Sequence, residues 1–158
     1  IYYSALLPVA KKDFVKSKFI FTVSIQLTGW IIILIFTILR MLFLSDSELY
    51  TSNKLLNANP AYLGWILIIY AVFNSSFIIS FFKNAYNIGI PFLKFSIITS
   101  LMIILCEVLH NIPGFESLND THLQFSQFYI FISGLIIYPT VTFISLKLSI
   151  NRFEKTDL

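Results

Sequence analysis

Residues 19–39 read Phe-Ile-Phe-Thr-Val-Ser-Ile-Gln-Leu-Thr-Gly-Trp-Ile-Ile-Ile-Leu-Ile-Phe-Thr-Ile-Leu, without one Asp, Glu, Lys or Arg. A helix rises ~1.5 Å per residue and the hydrocarbon core of a bilayer is ~30 Å thick, so ~20 apolar residues cross it. Three more apolar runs follow at residues 61–82, 95–106 and 128–146. The first and last of these are also free of charge. The middle one is shorter and is closed by Lys94 and Glu107. It spans if those side chains snorkel into the headgroups, with apolar Val108 and Leu109 just beyond. The pattern predicts an all-α, polytopic transmembrane helix bundle. Four spans, at about 19–44, 61–82, 91–109 and 126–147, form one transmembrane domain over residues 1–158.

Composition excludes a water-soluble domain. Of the 158 residues 57% are hydrophobic and 12% charged, and the mean hydropathy is +0.81. A typical soluble domain is ~45–50% apolar and ~25% charged. The lone cysteine, Cys106, cannot form an internal disulfide and belongs to no C-x-x-C pair. The net charge of +3 does not mark a nucleic-acid partner, because the basic residues fall at membrane edges rather than on one face.

Charge predicts the orientation. Lys11, Lys12, Lys16 and Lys18 precede the first span. Lys83 and Lys94 flank the link between the second and third, and Lys147, Arg152 and Lys155 follow the fourth. Nine of the eleven basic residues therefore fall on one side of a four-span bundle, leaving Arg40 and Lys54 on the other. The link from Glu107 to Gln127 holds Glu107, Glu116 and Asp120 and no Lys or Arg. Positive residues favour the cytoplasm, so both ends are expected there. Tyr62, Trp65 and Tyr129 suit the outer interface, whereas Trp30 is mid-span and suits packing between helices.

Turn signals divide the spans. Asn59-Pro60 ends a polar outer link, Gly89 and Pro91 follow a tight inner one, and Pro113-Gly114 opens the second outer link, whose residues 115–127 are expected to form a short interfacial helix. Polar residues inside spans need partners. Asn74 is the best candidate for a group facing a transport pathway, and packing between helices is the alternative. Ser76-x-x-x-Ser80 and Ser96-x-x-x-Ser100 are small-residue pairs that let helices approach. Pro139 frees a carbonyl inside the fourth span and reads as a hinge or a static kink.

Catalytic signatures are missing from the sequence. It contains no G-x-x-x-x-G-K-[ST], H-E-x-x-H or G-x-S-x-G, and no span is expected to carry a buried charge. His110 and His122 are poorly spaced for a metal and read as solvated loop residues. No catalytic, cofactor-binding or metal-binding residue is assigned, and an enzyme is not expected.

The stretch that carries function is Leu7-Pro8-Val9-Ala10-Lys11-Lys12-Asp13-Phe14-Val15-Lys16-Ser17-Lys18-Phe19. Pro8 can open a helix. Ala10, Phe14, Val15 and Phe19 recur at helical spacing while Lys11, Lys12 and Lys16 project elsewhere. The spacing predicts a short basic amphipathic helix over residues 8–18 that leads directly into the first span. Read from composition alone, it anchors to headgroups.

The same stretch resembles the LP-V-(S/T)-R-K-E-I-V-x-(S/G)-K-Y-(L/I) signature of bacterial ABC-2 type permeases, the membrane subunits of ABC exporters. Lys11 stands for Arg, Asp13 for Glu and Phe19 for Tyr. The ending, Leu146-Lys147-Leu148-Ser149 and then Arg152-Phe153-Glu154-Lys155-Thr156-Asp157-Leu158, is also similar to that family's C-terminus. The resemblance implies a C-terminal part of a permease of about six spans, with two spans before Ile1. It implies that residues 8–18 are a coupling helix docking on a separate ATPase subunit, which holds the ATP and Mg. Lys11, Lys12, Asp13 and Lys16 would make that contact, with Phe14 and Val15 as apolar anchors. A second permease subunit would pair with this one. The aromatic, uncharged spans suit an amphipathic cargo such as an exported peptide, for example a phenol-soluble modulin or a bacteriocin. The Ile-, Phe-, Asn- and Lys-rich composition resembles that of a low-GC Gram-positive bacterium, which would place the chain in its plasma membrane. The competing expectation is an accessory or immunity-type membrane protein without transport activity.

Overall fold

The structure, a computed structural model, describes residues 10–53, 55–83 and 88–155. Its elements are α1 (Lys11–Phe43), the single turn α2 (Glu48–Thr51), α3 (Pro60–Lys83), α4 (Gly89–Leu109) and α5 (Phe125–Glu154). α1, α3, α4 and α5 are each long and apolar enough to cross a membrane. The expected all-α, four-span bundle is therefore what forms, and no strand occurs among the described residues.

Local chemistry sets the helix ends. The Asn59 side chain accepts from the Tyr62 N–H at 3.1 Å, and Pro60 follows at the first helical position, where its missing N–H removes no helical bond. Gln124 and Gln127 form a reciprocal capping box that starts α5. α4 begins at Gly89, six residues before its apolar run, with Pro91 in its first turn. Its 21 residues reach roughly 31 Å, so the shorter run is completed by its flanks. The expected helix over 115–127 is corrected to one 3₁₀ turn, Glu116–Asn119. Its surroundings turn their carbonyls to the side chains of Asn59 and Gln127 instead of to successive N–H groups.

α3 is the central helix and packs on α1, α4 and α5. Its contact with α5 is backbone against backbone. A Cβ added at Gly64 would lie 2.4 Å from the Ile130 carbonyl oxygen, and one at Gly134 would lie 2.5 Å from the Gly64 oxygen. Without a hydrophobic force between helices in lipid, this close approach maximises dispersion contact. The serine pairs read from sequence do not make it: the Ser76 hydroxyl donates to the Val72 carbonyl of its own helix at 2.6 Å, and Ser100 is exposed.

At one end the start of α1 and the ends of α3 and α5 meet in an aromatic core of Val15, Phe19, Ile78, Phe82 and Phe153. The Phe82 and Phe153 rings are edge-on at 5.3 Å. This end carries the lysine-rich segments and is called the basic end. Away from these contacts, α1 and α4 present continuous apolar faces, as helices surrounded by lipid do.

Candidate functional site

The basic stretch is not a separate helix. From Lys11 it runs without a break into the span, and α1 is 33 residues long. Pro8, expected to open it, lies outside the described residues. Lys11, Lys12, Asp13 and Lys16 are all exposed. Lys16 pairs with Asp13 at 3.7 Å, with both side chains about half-exposed. Such a surface pair contributes little to stability. Of the two apolar anchors expected here, Val15 is turned into the chain and Phe14 is half-buried. Val15 is 0% exposed, and Phe14 lies 6.4 Å from Phe82 and 5.8 Å from Phe153. The physical reason is that three helix ends converge here, and their rings bury the apolar side of α1 within the chain.

Midway along the bundle, polar side chains from three helices form one centre. Gln26 of α1 donates to the Asn74 carbonyl oxygen at 3.0 Å, and the Asn74 amide donates back to Gln26 at 3.2 Å. Asn74 also donates to the Thr142 hydroxyl oxygen of α5 at 2.8 Å, and the Tyr138 hydroxyl donates to the Gln26 oxygen at 2.9 Å. Asn74 is 0% exposed. It sits in a π-helical segment of α3, Phe73–Ile78. The hydroxyls of Ser75 and Ser76 both donate to the Val72 carbonyl, where the α register is interrupted. π segments are frequent at functional sites. Pro139, next to Tyr138, is exposed, and α5 is helical on both sides of it.

At the opposite end, Arg40 clasps the two links together. Its guanidinium donates from Nε and Nη2 to the Ala58 carbonyl at 3.1 and 2.6 Å, and from Nη1 to the Thr121 carbonyl at 3.2 Å. It lies 5.2 Å from the Tyr50 ring centre and is 4% exposed. Asn57 bonds Asn119 through both its backbone N–H and its side chain, at 2.6 and 2.9 Å. The Asn59 amide donates to the Leu118 carbonyl at 2.8 Å. Sequence reasoning left Arg40 in a polar link. A charge at the edge of an apolar run looks the same whether it faces headgroups or the protein. His110 also departs from expectation: it is buried, with Nδ1 3.3 Å from the Cys106 carbonyl oxygen, while His122 is exposed beside Asp46 at 3.3 Å. Among the described residues no three His, Cys, Asp or Glu side chains are grouped to hold a metal.

α1 thus begins at a charged end, is joined midway to α3 and α5 by the polar centre, and is clasped at its far end to both links. The model of a family described as ABC-2 family transporter protein matches residues 1–154. The chain belongs to the ABC-2 transporter family. It is thus a multi-pass membrane permease component of an ABC transporter. No curated protein and no solved structure matches it.

For an ABC-2 permease the three features divide the labour. The basic end carries exposed Lys11, Lys12 and Lys16. The polar centre joins α1, α3 and α5, since each amide left without its partner would face hydrocarbon. The clasp holds the far ends of α1, α3 and α5 in register. Gln26, Asn74 and the Tyr138–Thr142 turn of α5 are distant from one another in sequence, and the signal for them is polarity inside apolar runs.

Proposed function

We propose that the chain is the membrane subunit of an ATP-driven exporter that docks through the start of α1 on a separate ATPase, with the basic end in the cytoplasm of a Gram-positive bacterium. The observation that carries this reading is the exposed set Lys11, Lys12, Asp13 and Lys16 at the head of a helix that continues unbroken to the clasp at Arg40. A 33-residue helix is about 50 Å long. A push at its head therefore reaches the far side without crossing a joint. Phe14 and Val15 transmit that push to α3 and α5 rather than gripping the partner. The charges guide docking and register. Nine of eleven basic residues on one side support the cytoplasmic placement. ATP and Mg belong to the partner, and the chain itself takes no cofactor.

Reversing Lys11, Lys12 and Lys16 to Glu is expected to abolish co-purification with the ATPase while membrane insertion is unchanged. Retention of the ATPase by this variant would refute the docking role. A second permease copy completes the path in this reading, and an amphipathic peptide is the cargo that uncharged, aromatic spans suit.

Asn74 joins α1, α3 and α5, and Pro139, inside α5 one residue from Tyr138, is the hinge in this reading. Pro139→Ala is then expected to lower export several-fold at equal expression, because alanine restores the helical bond that proline removes. Export at the parental rate in reconstituted vesicles would leave Pro139 a static kink.

A further inference from the structure

A groove of 610 Å³ runs between α1 and α5 on the outside of the bundle, from Phe19 and Leu146 near the basic end to Trp30 and Leu135 at mid-membrane. Both walls cover eleven residue steps, roughly 16 Å of helix, which is about half the ~30 Å hydrocarbon thickness. The groove therefore has the length of one leaflet. Its polar lining residues are Ser24, Tyr138 and Thr142. Tyr138 and Thr142 are engaged at the back, with Gln26 and Asn74. Apart from the Ser24 hydroxyl, what remains for an occupant is hydrocarbon.

The mouth at the basic end is cationic. Lys147 lies one helical turn after Phe143, a groove residue, and Lys16, which pairs with Asp13 at 3.7 Å, lies one turn before Ile20, another. The Lys147 ammonium stands 4.5 Å from the Phe143 ring centre, and Phe143 is 57% exposed. An apolar slot one leaflet deep with ammonium groups at its mouth matches one chemistry: an acyl chain attached to an anionic phosphate.

We propose that the α1–α5 groove binds an anionic phospholipid of the surrounding leaflet, with an acyl chain against Trp30, Leu135 and Pro139 and the headgroup phosphate at Lys147. Such a lipid fills the space beside the polar centre and Pro139, so its headgroup charge bears on how α5 sits. The inference does not depend on the ATPase reading, because Lys147 lies outside that docking surface.

Trp30 is a built-in reporter, since the chain has two tryptophans and Trp65→Phe leaves it alone. The protein would be placed in phosphatidylcholine vesicles containing a fixed fraction of phosphatidylglycerol, with bromine on the chains of one lipid or the other. Brominated phosphatidylglycerol is expected to quench Trp30 more than brominated phosphatidylcholine at equal mole fraction. Lys147→Gln should weaken the preference about fivefold, the effect of one lysine at an anionic surface, and Lys147→Arg should keep it. Equal quenching by both lipids would overturn the proposal, because bulk lipid then fills the groove. Absence of quenching by either would also overturn it, because a helix then covers the groove. Native mass spectrometry of the unsubstituted chain gives the same decision if Trp65→Phe does not fold: retained phosphatidylglycerol that Lys147→Gln releases supports the site, and none retained rejects it.

Discussion

A Gly64→Leu variant is expected to lose the α3–α5 contact and with it the folded bundle. Even the first carbon of a side chain at position 64 would meet the Ile130 carbonyl at 2.4 Å, and the Ile130 carbonyl carbon and Phe131 nitrogen stand at 2.6 and 2.7 Å. These are backbone atoms of a neighbouring helix and cannot rotate away. Relief requires α3 and α5 to separate, which would disturb the polar centre next to them. Overpacking of this kind costs roughly 3 kcal/mol at its upper end. The measurement is thermal unfolding of detergent-solubilised protein followed by size-exclusion chromatography. Gly134→Leu should behave alike, since its Cβ would meet Gly64 at 2.5 Å. Gly29→Ala should be tolerated, because its Cβ meets only the Tyr70 hydroxyl, at 3.4 Å. A Gly64→Leu protein as stable as the parent, or a Gly29→Ala protein equally damaged, would show that close backbone approach is not what holds these helices.

The second large effect is at Arg40. Arg40→Met keeps an apolar stem of similar length and removes the guanidinium from the Ala58 and Thr121 carbonyls. Hydrogen bonds to charged groups contribute about 1.5–3 kcal/mol, and acceptors stripped of partners add a desolvation cost, so a loss of roughly 3 kcal/mol is expected. The loss should be local. Hydrogen exchange at residues 45–59 and 110–124 should rise, while the aromatic core around Val15 and Phe153 keeps its protection. Arg40→Lys should fail to restore it, because one ammonium cannot reproduce the planar fork that reaches carbonyls on two links. Unchanged exchange in both links after Arg40→Met would mean that the asparagine bonds of Asn57 and Asn59 hold this end alone.

Much of the fold was legible because hydropathy is additive along a chain. Residues 19–39 predict a span whatever surrounds them, and Asn59-Pro60 marks the end of a link from two adjacent residues. The short third run forms a full span because its flanks join the helix, as the expected span of 91–109 required; α4 starts two residues earlier, at Gly89. The candidate site was legible only in part. Lys11, Lys12 and Lys16 lie on the exposed side of α1, as a basic amphipathic pattern requires, but Phe14 and Val15 could equally have faced a partner. Helical spacing says that they share a face, not what covers it.

The sequence by itself determined the class of the protein: an apolar helical bundle with its positive charge on one side. Each such statement depends on a residue and its neighbours along the chain, and on lipid and water as solvents. Tertiary structure alone decided which surfaces meet. It set Gly64 on Gly134, joined Gln26 to Asn74 across 48 positions, and buried Arg40 rather than leaving it to headgroups. Those outcomes depend on the rotation and height of one helix against another. Van der Waals contact and hydrogen bonds set these at a few ångströms, and no periodicity along a single helix encodes its partner's face.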